Sequence, residues 1–415
     1  MTIANTSGTT PGAGTAASVP LTERKYILPL VLITSLFFLW ALGVNLNDVL
    51  IPHLKKAFRL TDLQSSLIQT AFFGGYFLAA LPAGRLMERI GYKKGILTGL
   101  ALCATGALLF IPAATILAYW FFLLALFVMA CGQSFLEVAA NPYVTVLGPA
   151  GSAERRLNLA QSFNSVGAVV TPVIGAAFIL TNTESQAAQT AEANTVRIPY
   201  LIIACIFLAV AAMIYFTKLP EVQDDAPEPQ KLREAWKHPY LVRGVLAQFF
   251  YVGAQVGVAS FIIRLTEYLV PGTADKAAAG YLKWHLLGFM IGRFAGSAMM
   301  KYIPASRLLA AFAVACLICV AVALVTTGSI PIYAVVLIGF FHSIMFPTIF
   351  ALSIKGLGAY TKLGSSLLVM SIIGGAVLPV TMGYVSDATN IQRALIVPLV
   401  CYVYILSFAA RRQEA

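Results

Sequence analysis

Ionisable side chains are scarce in this sequence: Asp, Glu, Lys and Arg make up 11% of its 415 residues, against 59% apolar types and a mean hydropathy of +0.82. So little polarity cannot cover a water-soluble globule of this length. Histidine is limited to four residues and cysteine to six. The cysteines, Cys103, Cys131, Cys205, Cys316, Cys319 and Cys401, stand inside apolar runs, and only Cys316 and Cys319 have the spacing of a redox or zinc pair. With no second pair and no histidine beside them, these two read as packing residues. A His-Glu metal cluster, a Ser-His pair and a glycine-rich nucleotide loop are also missing, so no enzyme activity, metal or cofactor is expected. The Thr-, Ala-, Gly- and Ser-rich start lacks both a basic cluster and an apolar core, so residues 1–25 are expected to be a disordered tail and not a cleaved signal peptide.

What the sequence has in abundance is apolar blocks of about twenty residues, long enough to cross a hydrocarbon core of roughly 30 Å as helices. Continuous runs such as 121–130 do not alternate, which excludes a membrane β-barrel. The spans predict an all-α membrane protein of twelve transmembrane helices. Six fall near 26–58, 65–87, 95–111, 117–147, 157–180 and 199–216, and six near 242–268, 277–300, 308–325, 330–354, 365–385 and 394–410. The polar stretch between them, with Glu221, Asp224, Asp225, Glu228, Lys231, Arg233, Glu234 and Lys237, reads as a cytoplasmic linker. The expected organisation is therefore a tail (1–25), a first bundle (26–216), a linker (217–239), a second bundle (240–410) and a short cytoplasmic tail (411–415).

The net charge of +11 would suit nucleic acid in a soluble protein. In a membrane protein it follows from basic loops. Arg24, Lys25, Arg85, Arg89, Lys93, Lys94, Arg155, Arg156 and the basic linker residues share one side of an even-helix topology, which predicts cytoplasmic termini and an inner-membrane protein. Nucleic acid is not an expected partner, and a monomer in the bilayer is.

Landmarks recur about 205 to 212 residues apart: Phe37-Phe38 with Phe249-Phe250, Gly84 with Gly296, Pro142 with Pro347, and Gly167 and Pro172 with Gly374 and Pro379. Their order argues for two six-helix pseudo-repeats, and parallel halves of this kind place a substrate site between them near the membrane midplane. The segment after the second span, Gly84-Arg85-Leu86-Met87-Glu88-Arg89-Ile90-Gly91-Tyr92-Lys93-Lys94, resembles the cytoplasmic signature of the major facilitator superfamily, with Glu88 where Asp is usual. Gly84 permits close helix approach, Glu88 and Arg89 suit a breakable ion-pair latch, Gly91 turns the chain, and Lys93 is a basic anchor.

Insertion scales put a charge at the centre of a span at roughly 2.5 to 3.5 kcal/mol, so an embedded carboxylate marks an ion or substrate pathway. Two stand out. Asp48 follows Asn45 by three residues on the first span, sharing its face; the alternative is a carboxylate at the outer interface. Glu137 has Gln133 and Asn141 at i−4 and i+4 on the fourth span; the alternative is a structural carboxylate paired with an arginine or amide. Further embedded groups are Gln161 and Asn164 on the fifth span and Gln248, Tyr251 and Gln255 on the seventh, whose amides and phenol suit a hydroxyl-rich ligand or interhelical glue. Trp40, Phe38, Tyr76 and Tyr251 offer an aromatic platform for the C–H face of a sugar ring. Arg293 is expected to pair with backbone or a carboxyl, and His285 and His342 to be packed side chains or proton relays.

Leu-Asn-Asp at 46–48, Glu-Val-Ala-Ala-Asn-Pro at 137–142, Arg-Leu-Asn-Leu-Ala-Gln-Ser-Phe-Asn-Ser at 156–165, Ala-Gln-Phe-Phe-Tyr-Val-Gly-Ala-Gln at 247–255, Ile-Gly-Arg-Phe at 291–294, Phe-Pro-Thr-Ile-Phe at 346–350 and Gly-Ser-Ser at 364–366 carry a closer resemblance. Across nearly the whole chain the sequence resembles the fucose/galactose/glucose:proton symporter family. That resemblance implies proton coupling through Asp48 and Glu137, and a cavity walled by Trp40, Asn45, Gln161 and Asn164. Val44 and Val258 depart from it, where a relative carries asparagine and an aromatic, and both bear on the choice of sugar. The expected activity is proton-coupled import of L-fucose or a related hexose by alternating access. The rivals are a passive facilitator, a sodium-coupled carrier and a cationic-drug exporter.

Overall fold

The computed structural model describes residues 19–57, 62–116, 118–178, 197–220, 231–273 and 275–411, and all regular structure among them is helical. Among the described residues, nine stretches are long and apolar enough to cross a membrane. One of these contains two helices, because Gly91 at φ 78° breaks the run from Asp62 to Ile116. Only glycine takes this left-handed conformation without a Cβ penalty.

Splitting there gives α1 (Ile27–Ala57), α2 (62–90), α3 (92–116), α4 (Tyr119–Val146), α5 (Ala153–Phe178) and α6 (Arg197–Phe216) in the first half. A short helix, Leu232–Ala235, follows before the second half begins at Pro239. The second half has α7 (Pro239–Leu269), α8 (Asp275–Met299), α9 (Ala305–Val325), α10 (Ile330–His342 and Met345–Ile354), α11 (Thr361–Met370 and Gly374–Ala388) and α12 (Ile396–Arg411). The fold is thus twelve helices in two sets of six. Large apolar side chains such as Trp120, Phe216, Val325, Val380 and Tyr384 stand exposed on the perimeter, as a lipid-facing surface requires.

The sequence repeat is a packing repeat. A Cβ at Gly167 of α5 would lie 2.7 Å from the Phe38 carbonyl oxygen of α1, and one at Gly374 of α11 would lie 2.1 Å from the Phe249 carbonyl oxygen of α7. In each half the same pair of helices meets through a glycine seated on a backbone carbonyl. The halves meet along α2 with α11 and along α5 with α8 and the second piece of α10. Gly84 is needed at the first seam, since its Cβ would fall 2.0 Å from Ser366 Oγ.

Three boundaries differ from expectation. Helix α5 begins at Ala153, four residues before the predicted 157, because Glu154 and Arg156 are turned inward and bonded, not excluded from the span. Helix α10 is not continuous: Ser343 and Ile344 interrupt it, three residues ahead of Pro347, whose missing N–H leaves the Ser343 carbonyl without its helical donor. Helix α11 starts at Thr361 and passes through a 3-10 turn at Ser371–Ile373.

The expected disordered tail needs correction at its inner end. Residues 19–25 dock on the turn between α4 and α5, where Thr22 Oγ1 donates to the Leu147 carbonyl at 2.6 Å and Ser152 Oγ to that of Pro20 at 2.9 Å. Fully buried Arg156 donates to the Leu21 carbonyl at 2.8 Å and to those of Val144 and Thr145, so one guanidinium caps α4 and grips this segment. Residues 1–18 and 221–230 lie outside the described residues.

Candidate functional site

Between the halves lies a cavity of about 230 Å³ lined by Trp40, Asn45, Phe72, Phe73, Tyr76, Glu137, Gln161, Asn164, Gln255, Val256, Arg293, Phe346 and Ile372. Both halves contribute. Seven of these residues, Trp40, Asn45, Tyr76, Glu137, Gln161, Asn164 and Gln255, were singled out from sequence, and they come from α1, α2, α4, α5 and α7.

The aromatic wall is fixed by hydrogen bonds and stacking. Trp40 Nε1 donates to Tyr76 Oη at 2.9 Å, Tyr76 Oη donates to Gln133 Oε1 at 3.4 Å, and Phe37 stacks on Trp40 with centroids 5.7 Å apart. A buried indole N–H needs such a partner, and with it satisfied the ring plane is held against the cavity. The amides are oriented by backbone. Asn45 Nδ2 donates to the Ala41 carbonyl at 2.7 Å and Asn164 Nδ2 to that of Phe37 at 3.1 Å, which leaves each Oδ1 as an acceptor for a ligand hydroxyl.

Glu137 is 4% exposed and faces this small space. Its neighbours on the α4 stripe stand behind the wall. Gln133 is fully buried against Tyr76, and Asn141 Oδ1 accepts from Gln161 Nε2 at 2.9 Å. Gln248 is buried away from the cavity, and Tyr251 donates to the His342 carbonyl at 3.0 Å inside the second half. These four support the wall or the core and do not line the cavity. The backbone of α1 continues helically through position 48, and the side chain of Asp48 lies outside the described residues.

Arg293 is the cation of the cavity wall. Among the described residues it forms no ion pair with Glu137. Its Nε donates to the Ser343 carbonyl at 2.9 Å and its Nη1 to the carbonyl and Oε1 of Gln161, while Phe289 stacks beneath the guanidinium at 4.6 Å. Backbone pairing is thus the outcome of the two expected. The sequence signal for its place in the wall was its position as a cation well inside an apolar span. Phe346, Phe72 and Phe73 also line the cavity and had no signal beyond apolarity. His342 shares a 2.6 Å hydrogen bond with Tyr402 Oη, and His285 Nδ1 is 3.2 Å from the Val335 carbonyl; both are core residues of the second half.

In the loop signature, Lys93 Nζ donates to the carbonyls of Tyr215 and Thr217 at 2.9 Å, closing the end of α6. Lys362 of α11 lies 5.2 Å above the Tyr92 ring. Gly84 packs against Ser366 of α11, and Gly91 breaks the helix at φ 78°. Glu88 is half-buried and Arg89 exposed.

Twelve helices in two repeated halves around a central polar cavity define a membrane transporter of the alternating-access kind. The family model for the Major Facilitator Superfamily matches residues 33–379, and the chain belongs to that family. It is 46% identical over 386 residues to a glucose/galactose transporter of Brucella abortus, covering 92% of this chain and 93% of that one. To the L-fucose-proton symporter of Escherichia coli it is 43% identical over 414 residues, covering 94% of each. The crystal structure of the transporter FucP in the outward conformation superposes with a TM-score of 0.87 at 42% identity, covering 94% of this chain and 99% of that one.

Proposed function

We propose that this protein imports a neutral hexose of the fucose, galactose and glucose class together with protons, by alternating access in the inner membrane. The observation that carries this reading is the placement of buried Glu137 in the same small cavity as Trp40, Asn45, Gln161, Asn164 and Gln255. An aromatic platform with several amides suits a polyol. A drug-sized cation is a poorer fit, since sites for such ligands usually occupy roughly 300–1,000 Å³. The names of the relatives, glucose/galactose transporter and L-fucose-proton symporter, agree with this choice.

In the mechanism, Asp48 takes a proton from the outer side, one helical turn along α1 from Asn45. Sugar then stacks on Trp40 and bonds the amides, the bundles 26–216 and 240–410 rock about the seams, and Glu137 governs release of sugar and proton inward. The face carrying the linker and the docked segment 19–25 is cytoplasmic in this scheme, and both termini lie there. This conformer is closed on that face: Glu154 pairs with Lys355 at 2.9 Å, Asn158 with Thr348 at 3.1 Å and Ser297 with the Arg155 carbonyl at 3.3 Å, all between the halves. The driving force suffices, since about 2.3 kcal/mol per 100 mV and about 1.4 kcal/mol per pH unit together sustain accumulation beyond a hundredfold at one proton per sugar. The chain acts as a monomer, with lipid, sugar and protons as its partners and no cofactor.

The test is uptake of labelled L-fucose, galactose and glucose into proteoliposomes. An inward proton gradient should drive accumulation of at least one, and competition among them identifies the preferred sugar. Accumulation that persists after the gradient is collapsed, or that requires sodium, contradicts the proposal.

A further inference from the structure

Helix α5 presents Glu154, Arg155, Asn158 and Gln161 along one side, and each is bonded across the seam: Glu154 to Lys355, the Arg155 carbonyl to Ser297, Asn158 to Thr348, and Gln161 to Arg293. These pairs form a polar zipper that runs from the face carrying the docked segment 19–25 (the terminal face), where a recess of about 610 Å³ is lined by Glu154, Arg155, Ser306 and Lys355, up to the floor of the central cavity. The cavity end of the zipper is Arg293. Its partners are set by the chain itself. Pro347 has no N–H for the Ser343 carbonyl, and Arg293 Nε takes that carbonyl at 2.9 Å. Its Nη1 takes both oxygens of Gln161 in the opposite half, and the other side of Gln161 donates to Asn141, one helical turn from Glu137.

We propose that Arg293 is a positioning residue that bolts the inner end of this zipper, sealing the sugar path toward the terminal face while it holds the Gln161 amide for ligand and for Asn141. Its bond to Gln161 must break each time the carrier opens on that face. A guanidinium is required because two acceptors in different halves have to be met by one planar fork, which an ammonium cannot do. The proposal rests on the alternating-access reading but not on which solute is carried or on proton coupling.

The test is hydrogen–deuterium exchange of the full chain in lipid nanodiscs, comparing the wild-type protein with Arg293→Met and Arg293→Lys. Loss of a charge-assisted bond between the halves should speed exchange roughly tenfold in 153–161 and 293–300 for Arg293→Met, leaving 305–325 of α9 as it was. Arg293→Lys, which keeps the charge, should lie between them. In counterflow, Arg293→Met should lower the affinity for sugar added from the outer side, as expected of a carrier biased inward. Unchanged protection of 153–161 in both variants overturns the proposal, and so does faster exchange spread evenly through all helices, which is the mark of a merely structural residue. If Arg293→Met does not fold, Arg293→Lys decides: wild-type protection in that variant also overturns it. A failure here with proton-driven sugar uptake intact leaves the proposed transport standing, whereas lost coupling with the protection pattern as expected leaves the bolt standing.

Discussion

Gln161 donates to Asn141 at 2.9 Å and accepts from Arg293 across the seam, so one amide joins the helix that carries Glu137 to the opposite half of the molecule. A sugar bonded to Gln161, as proposed, would act on both sides of the cavity. Gln161→Leu should weaken sugar binding by about 1 to 3 kcal/mol, because it removes a proposed ligand partner and leaves Asn141 Oδ1 short of a donor and Arg293 Nη1 short of an acceptor. Titration of purified protein with sugar measures this, and an unchanged affinity removes Gln161 from the site.

The proposed mechanism separates the proton on Glu137 from sugar binding. Glu137→Gln keeps the size of the side chain and a polar group in the 230 Å³ cavity but cannot ionise. It should exchange labelled sugar in counterflow at a rate near that of the wild-type protein and fail to accumulate sugar against a gradient. Full accumulation by this variant assigns the proton to another group.

Trp40→Phe tests the aromatic wall. The ring face survives while the 2.9 Å bond to Tyr76 is lost, leaving the phenol without its donor. Sugar affinity should fall by about 1 kcal/mol, or roughly fivefold, with little change in thermal stability.

How much of this could be read in advance varies along the chain. The spans were legible because a bilayer demands apolar runs, and the repeat because Gly167 and Gly374 must both sit on a carbonyl, an effect no other residue type permits. Seven wall residues were legible as polar or aromatic groups where such groups are costly. The orientation of Gln133 and Asn141 was not. Positions four apart on a helix differ by about 40°, enough for Glu137 to face the cavity while its neighbours turn toward Tyr76 and Gln161. The break in α10 was also hidden, since Pro347 stands three and four residues past the turn it frees and Arg293, which takes up the freed carbonyl, is distant in sequence. The docking of 19–25 depends on Arg156, whose single charge serves five carbonyl groups of two segments, a pattern that no local periodicity reveals.

The seam between α2 and α11 should be intolerant of bulk. Gly84→Ala places a methyl group against Ser366 Oγ and should cost about 1–3 kcal/mol of thermal stability, and adding Ser366→Gly should recover part of it. Equal melting temperatures for Gly84→Ala and the wild-type protein contradict the close approach.

The contact between the short helix Leu232–Ala235 and Tyr360 has its own pH dependence. Tyr360 Oη donates to Glu234 Oε2 at 2.6 Å, which holds the Glu234 carboxyl below the usual carboxylate range and raises the Tyr360 phenol above its own. Because the carboxyl is depressed, the contact contributes above its ordinary value of about 4.3 and is lost as pH falls through the lower folded value. Tyr360→Phe should therefore speed hydrogen exchange around Glu234 at neutral pH and make no difference in strong acid. A difference that persists in strong acid rules the bond out as its source.

Proton movement that accompanies sugar, with no gradient imposed beforehand, tests the central claim most directly. Proteoliposomes in weak buffer should alkalinise the outer medium when a transported hexose is added, and those carrying Glu137→Gln or Asp48→Asn should not. Sugar entry without any external pH change in the wild-type protein would contradict proton coupling and leave a passive or sodium-driven carrier of the same fold.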